Sequence, residues 1–351
     1  MKQDIKHGSY RKLLFGLTAI LIGGMIAIVG CHATPTNTPS IQIPLAIPQR
    51  ADFLAKVGVA EIMGNEALVE LYEEIIAQNM TLPQTLDAAL DTLEHTTGID
   101  PKAFTTIIAF ADVTALFEIM ESAQNSGGLP YFGALIEGKL DESTFIRSIE
   151  SKLGQELTTS SYQNYTVYAF ANPHNQNQAL SMTFLADGQI VIGATLAVKD
   201  VIDVTVGLQE PISGTVYDLY SQLDDALVKL ASVVPESLTN QIPEEMPIGP
   251  INVNLLSLRD IRYTTFTLNG NANIFNADAH LEFTSSDSAK TSAQLLRLAI
   301  TAGKYVISDP NIEELLSKVH LSRSGSSISL ALALTTSEIE RFTSAIFREA
   351  V

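Results

Sequence analysis

The sequence predicts an α+β protein, with two related antiparallel-sheet units and helices packed on the sheets. Three observations predict it. Apolar runs of strand length alternate with stretches of helical periodicity along most of the chain. The dipeptides Asp187-Gly188, Asn269-Gly270 and Ser324-Gly325 each stand between two strand-like runs, and tight turns of that kind join antiparallel neighbours. Hairpins with segregated helices favour α+β over a doubly wound parallel sheet.

The elements follow in order. Leu68, Leu71, Tyr72, Ile75 and Ile76 form a helical stripe over residues 66–78. A second helix is expected over 82–95, with Thr81 as N-cap, Pro83 in the first turn and Gly98 as the stop. Phe104 to Ala111 reads as a strand, after which Asp112 caps a short helix to Glu121. A strand over 133–140 leads to Asp141, the cap of a helix to Leu153. Strands are expected over 155–160, 164–170, 179–186 and 189–194, the last two joined by Asp187-Gly188 in a type I′ turn. Helices over 196–206 and 215–232 complete this half.

Residues 235–250 hold four prolines and break all periodicity, which marks a connector. Beyond it, Asn269-Gly270 is expected to join strands over 261–268 and 271–283. Ser285 opens a helix to about Thr301, and Asn311 to Lys318 adds a short one. Ser324-Gly325 joins strands over 318–323 and 326–334, and Thr335-Thr336-Ser337-Glu338 forms a capping box for a last helix. Phe132–Leu153 overlays Phe275–Leu296 by element order, and Met182–Gly207 overlays His320–Ala345, as a degenerate duplication would. The implied organisation is a leader over 1–30, a tether over 31–49, a first α+β unit over 50–234 with an N-terminal helical pair, the connector 235–250, and a second α+β unit over 251–351.

Composition narrows the function classes. The chain has 351 residues, 46% of them hydrophobic, enough for a substantial core, and a formal net charge of −18. Such a surface repels phosphate backbones, so nucleic acid is not an expected partner. Trp is absent and aromatics are 7%, which argues against stacked-aromatic platforms for sugars or single strands. A single cysteine rules out sites built on paired thiolates.

That cysteine ends an apolar leader. Lys2, Lys6, Arg11 and Lys12 precede an uncharged stretch from Leu13, which closes with Ile28-Val29-Gly30-Cys31. This resembles the lipobox of bacterial lipoproteins. The resemblance implies cleavage between Gly30 and Cys31, diacylation of the Cys31 thiol with palmitate-type chains, and anchoring in a membrane on its extracytoplasmic side. Two or three acyl chains suffice for stable attachment, at about 0.8 kcal/mol per buried methylene. The alternative is an uncleaved signal anchor with the same orientation. His32 occupies the position where an Asp would favour inner-membrane retention in enteric bacteria, so the host face is the cell membrane or, where one exists, the outer membrane. Pro35, Pro39, Pro44 and Pro48 then favour an extended tether of roughly 50 Å at full stretch. The region over 50–350 also resembles, by its rhythm, uncharacterised exported bacterial proteins built from two strand-helix-hairpin-helix repeats; that likeness carries no catalytic residues.

Local reaction motifs are missing: beyond the basic leader, no His-Glu-x-x-His helix, Gly-x-Ser-x-Gly elbow, Ser-x-x-Lys of penicillin-binding type, Walker or dinucleotide loop occurs. The sharpest cluster is Asp278, His280 and Glu282, which alternation places on one strand face. Their Cβ atoms stand about 6.5–7 Å apart, so one divalent ion reaches two of them but hardly all three. The plainer reading is the solvated face of a one-sided sheet, and no metal or cofactor is expected. His174 sits in a polar loop, and Glu244-Glu245 keeps the connector solvated. The expectation is a non-catalytic binding or scaffold ectodomain facing an envelope protein. A carrier or sensor of a hydrophobic ligand, suggested by the 17% charged content, is the alternative, and a hydrolase assembled from distant residues stands third.

Overall fold

The structure, a computed structural model, describes residues 46–77, 85–97, 100–121, 129–170, 180–248, 251–271, 273–306 and 310–342. Its strands are β1 (Phe53–Gly58), β2 (Phe104–Ala111), β3 (Phe132–Gly138), β4 (Thr158–Tyr162), β5 (Tyr165–Phe170), β6 (Leu180–Ala186), β7 (Gln189–Ala194), β8 (Val228–Val233), β9 (Glu245–Ile248), β10 (Ile251–Asn254), β11 (Ile261–Asn271), β12 (Ile274–Phe283), β13 (His320–Ser324) and β14 (Ser327–Thr335). Its helices are α1 (Val59–Met63), α2 (Glu66–Ala77), α3 (Leu86–Thr97), α4 (Val113–Glu121), α5 (Glu142–Leu153), α6 (Thr195–Thr205), α7 (Thr215–Gln222), α8 (Glu236–Asn240), α9 (Ser286–Val306) and α10 (Pro310–Lys318), with a last helix over 336–342.

Among the described residues, twelve strands form one antiparallel sheet in the order β13-β14-β12-β11-β8-β1-β2-β3-β7-β6-β5-β4, and β9 pairs with β10 apart from it. Read outward from the β1–β8 seam, the two sides match. One runs β1-β2-β3-β7-β6 and the other β8-β11-β12-β14-β13. Each side also places a 3-10 turn before its second strand, at Pro101–Ala103 and Leu256–Asp260. The β4–β5 hairpin extends the first side alone.

The two expected units therefore share one sheet. By position β8 is the counterpart of β1, so it opens the second side although it lies before the expected connector. The described part of 235–250 is not bare linker, because it folds as α8 and β9. The expected helix over 215–232 divides into α7 and the central strand β8. Tyr220, Leu223, Leu227 and Leu230 fall at helical spacing, which hid the strand. The tether also ends earlier than expected. Ala46 and Ile47 are buried with Ala51 in the core, Ile212 N–H donates to the Ile47 carbonyl at 2.7 Å, and Pro48 bridges Pro211.

Two turns differ from expectation. Gly188 has φ 72° while Asp187 is not left-handed, and the β6–β7 register slips between Phe184 and Ala186. This is a bulged turn in place of type I′. The I′-like turn is Gln163-Asn164, with φ 49° and 69°, between the paired Tyr162 and Tyr165. Asn269 and Gly270 lie within β11, and the chain turns between Asn271 and Ile274. Gly270 is needed there because its cross-strand partner is Phe275, whose ring would stand 2.4 Å from an added Cβ. The caps at Asp141 and Ser285 form as expected, each accepting from the N–H three residues on. The capping-box Glu338 accepts from Thr335 N–H at 2.9 Å. The first cap of α3 is Thr85; Thr81 and Pro83 lie outside the described residues.

Register assigns every strand residue to a face. On one face Ile136, Met182 and Ile190 pack with α5, Val57 and Ile107 with α1 and α3, and Phe283, Ile328, Leu334 and Leu268 with α9, α10 and the last helix. That face is covered along its whole width. On the other face Leu54, Phe110, Leu135, Val191 and Ala231 lie beneath α6, α7 and the Ala46–Ala51 segment. This second cover stops at β11, where Thr265 and Thr267 are still buried. Beyond it, over β12, β14 and β13, none of the same-face residues Asp278, His280, Glu282, Ser327, Ser329, Ala331, His320 and Ser322 is buried.

Candidate functional site

Asp278, His280 and Glu282 share that open face, as alternation required. They do not converge. His280 Nδ1 is 2.8 Å from Ser329 Oγ on β14, while Glu282 accepts from the Ser326 hydroxyl at 2.6 Å and from Ser327. His280 and Glu282 are thus tied to neighbouring serines, and no three His, Cys, Asp or Glu groups among the described residues are placed to hold a metal. The geometry is that of a solvated face. His174, Gly30 and Cys31 lie outside the described residues. Glu244 is exposed and 4.0 Å from Arg259, and Glu245 begins β9.

A groove of about 1090 Å³ opens on the first side of the sheet, and no sequence motif pointed to it. Its floor is made by close backbone approach. Gly138 N–H donates to the Gly188 carbonyl at 2.9 Å, and a Cβ on Gly188 would stand 2.3 Å from the Gly138 oxygen. A Cβ on Gly138 would in turn meet the Ala103 carbonyl oxygen at 2.2 Å. Three chain segments therefore meet only because glycine fills both positions. One wall is the first turns of α5, and the other is Tyr168 with the β6–β7 turn.

Five polar side chains of this groove, Asp141, Glu142, Ser143, Glu150 and Tyr168, are hydrogen-bonded within the protein. Asp141 Oδ1 accepts from Thr144 N–H at 2.8 Å and from the Ser143 hydroxyl at 2.9 Å, and hydrogen bonds from Thr144 and Ser143 hold its carboxyl below the usual range. Tyr168 donates to Glu142 Oε1 at 2.8 Å. Burial, then that bond and the charge of Glu142, push the phenol up to about 12. Glu150 Oε1 accepts from Leu157 N–H at 2.9 Å. Lys139 and Arg147 add positive charge beside Asp141, Glu142, Glu150 and Asp187, so the lining carries both signs, without histidine or cysteine.

No family model matches the chain, and no curated protein matches it. Solved structures of a protein called TP0453 are similar to it. Crystal form III gives a TM-score of 0.45 at 12% identity, covering 88% of this chain and 99% of that one. Crystal form I gives 0.43 at 12%, covering 87% and 98%. Crystal form IV gives 0.44 at 13%, covering 85% and 96%.

A second polar feature lies at the seam. Lys56 and Lys229 face each other across β1 and β8. Lys56 Nζ is 2.6 Å from Asp225 Oδ1, and Lys229 Nζ lies 4.6 Å from the Tyr220 ring centre. Burial pushes the Lys229 ammonium below its usual range, and burial likewise pushes the Tyr220 phenol up. Like charges opposed in a central strand pair are unfavourable, and the carboxylate and the ring face offset part of that cost. Neither strand is expected from the sequence, where most of β8 falls inside the helix predicted over 215–232 and no element is predicted over β1. No helix among the described residues is long and apolar enough to cross a membrane.

Proposed function

We propose that the chain is a lipid-anchored extracytoplasmic protein that binds a polar partner without catalysis, through the groove between α5 and the β6–β7 turn. The carrying observation is the state of the groove's polar groups. The Ser143 hydroxyl is spent on Asp141, the Asp141 carboxylate on a helix cap, and the Tyr168 phenol keeps its proton at neutral pH. Nucleophilic and general-base work needs a poised pair, which such bonds do not leave. A rim of both signs suits an extended polypeptide segment of an envelope protein that carries Lys or Arg next to Asp or Glu.

The anchor is the leader ending at Cys31. Fewer residues than expected separate it from the globule, because Ala46 and Ile47 already lie in the core. That leaves roughly 45 Å of reach at full extension. Two measurements test the reading. Mass spectrometry of the full-length protein from cells is expected to show an acylated Cys31 that is lost in Cys31→Ser; an unmodified thiol contradicts it. A photo-crosslinker at position 147 is expected to give a discrete adduct that the same group at the exposed Leu298 of α9 does not. Equal adducts from both positions contradict the groove.

A further inference from the structure

The strand β4 ends the twelve-stranded sheet on its first side, and among the described residues no strand pairs with its outer edge. The chain reverses through Gln163 and Asn164 alone, so Tyr162 and Tyr165 close the hairpin as a hydrogen-bonded pair. Ser160 with Val167 and Thr158 with Ala169 are then of the same kind. The N–H and C=O groups of Thr159 and Ser161 therefore point outward, away from β5. The next outward donor, Leu157 N–H, is taken by Glu150 Oε1 at 2.9 Å, which closes the edge at its start. Thr158 to Ser161 are all exposed.

A regular open edge is a template for another strand unless a proline, a bulge or a charge blocks it. β4 has none of these: its register with β5 is unbroken and it reads Thr-Thr-Ser-Ser-Tyr. The far edge of the sheet is guarded. On β13 the outward positions are Leu321 and Arg323, and Arg323 holds its charge there by donating to Ser286 Oγ at 3.2 Å and to the Gly325 carbonyl at 2.7 Å. Charge also selects the occupant of the open edge. The chain carries −18 overall, yet residues 157–186, which span β4, β5 and β6, contain no Asp, Glu, Lys or Arg. Two copies of an acidic chain meet here without like-charge repulsion.

We propose that β4 pairs antiparallel with β4 of a second copy, so that one sheet runs through a twofold dimer. Centring the pair on Ser160 sets Thr159 against Ser161 of the second copy, Ser160 against Ser160, and Thr158 against Tyr162. The outward backbone groups of both strands are then satisfied, and hydroxyl side chains face one another, a favourable cross-strand pairing. Pairing of β4 with β4 closes on itself, whereas β4 on β13 would propagate as an open filament, which Arg323 opposes. The twofold axis stands normal to the sheet, so both α6 faces lie on one side. The Ala46–Ala51 segment packs on that face. Both Ala46 ends therefore stand on the same side, and two copies held at Cys31 share one membrane; that last point alone rests on the anchor proposed above. A contact the length of one five-residue strand puts the pair in the weak, transient class.

Disulfide trapping reads the register directly. Cys31 is the only native thiol, so full-length Cys31→Ser protein in non-ionic detergent takes one new cysteine at a time, and the result does not depend on the anchor. Ser160 meets its own copy in a non-hydrogen-bonded pair, with Cα atoms about 4.5 Å apart and within disulfide reach. Thr159 and Ser161 are each offset from themselves by two residues, about 7–8 Å and at or beyond that reach. Ser160→Cys is expected to form a reducible homodimer at least about tenfold faster than Thr159→Cys or Ser161→Cys. All three positions are exposed, and unchanged circular dichroism is expected for each variant. Ser160→Lys, which opposes two ammonium groups, is expected to raise the dimer Kd about threefold or more in sedimentation equilibrium. Equal trapping rates at the three positions overturn the proposal, as do the absence of a Ser160→Cys homodimer and a Kd that Ser160→Lys leaves unchanged.

Discussion

The two sides of the sheet have one strand order and two different surroundings. On the first side β3, β7 and β6 lie between two layers, α5 on one face and α6 on the other. On the second side β12, β14 and β13 carry α9 and α10 on one face, and among the described residues no helix covers the other. The composition of the strands follows that difference. The overlay of Phe132 on Phe275 makes Glu137 the counterpart of His280, and the registers then match Gln189 with Ser329. Both are cross-strand hydrogen-bonded pairs, Gln189 Nε2 to Glu137 Oε1 at 2.7 Å and His280 to Ser329 at 2.8 Å. Only one residue in the four, Gln189, is buried. Polar pairing at this register survives in both sides, while the layer above it does not. A face with no helix over it stays hydroxyl-rich and charged because covering it with apolar side chains would leave them in water.

The largest effect is expected at the seam. Ala231 of β8 is fully buried among residues of both sides. Ala231→Asp places an unpaired charge there and is expected to cost more than about 3 kcal/mol. If the sheet is one cooperative unit, probes on either side then report a single earlier transition in denaturant. A first transition confined to one side would show two independent units. Next in size, Ile202→Ala removes a fully buried side chain of α6 from the covered side and is expected to lose about 2–5 kcal/mol in urea unfolding. Gly270→Ala presses a methyl against Phe275 and is expected to lose about 1–3 kcal/mol.

A pH titration tests the second side. Glu338 is held down to about 2 by Lys318 and then by the Thr335 N–H. A carboxyl lowered in the folded state adds stability above its unfolded pKa, and that stability disappears as pH falls through the folded one. Loosening of the last helix between about pH 4.5 and 2, absent in Glu338→Gln, is the expected result by hydrogen exchange. Smallest of all, Asp278→Asn with His280→Gln on the open face is expected to change stability by no more than about 0.5 kcal/mol.

Much of this architecture was legible in the sequence. Elements bounded by side-chain caps, such as α5 behind Asp141 and α9 behind Ser285, were placed within a residue or so of their starts, because capping is a local interaction. The order of elements also foretold the matching sides. The seam was not legible. In β8 a lysine interrupts an apolar strand while Leu227 and Leu230 continue a helical rhythm from α7, and only pairing with β1 and β11 decides between the two. Asn269-Gly270 misled for a related reason: the glycine serves the Phe275 ring across the strand, a contact invisible to dipeptide preference. The groove was hidden too, since Gly138, Gly188 and Tyr168 are distant in sequence and meet through tertiary structure alone.

Thiol labelling tests the unequal cover most directly. In a Cys31→Ser background, Val191→Cys on β7 and Ala331→Cys on β14 occupy corresponding positions on the same face, the first fully buried and the second half-buried. The Ala331→Cys thiol is expected to react in the native state like one on an open surface. The Val191→Cys thiol should react at least about 100-fold more slowly, only through local opening. Equal rates at the two positions would contradict it.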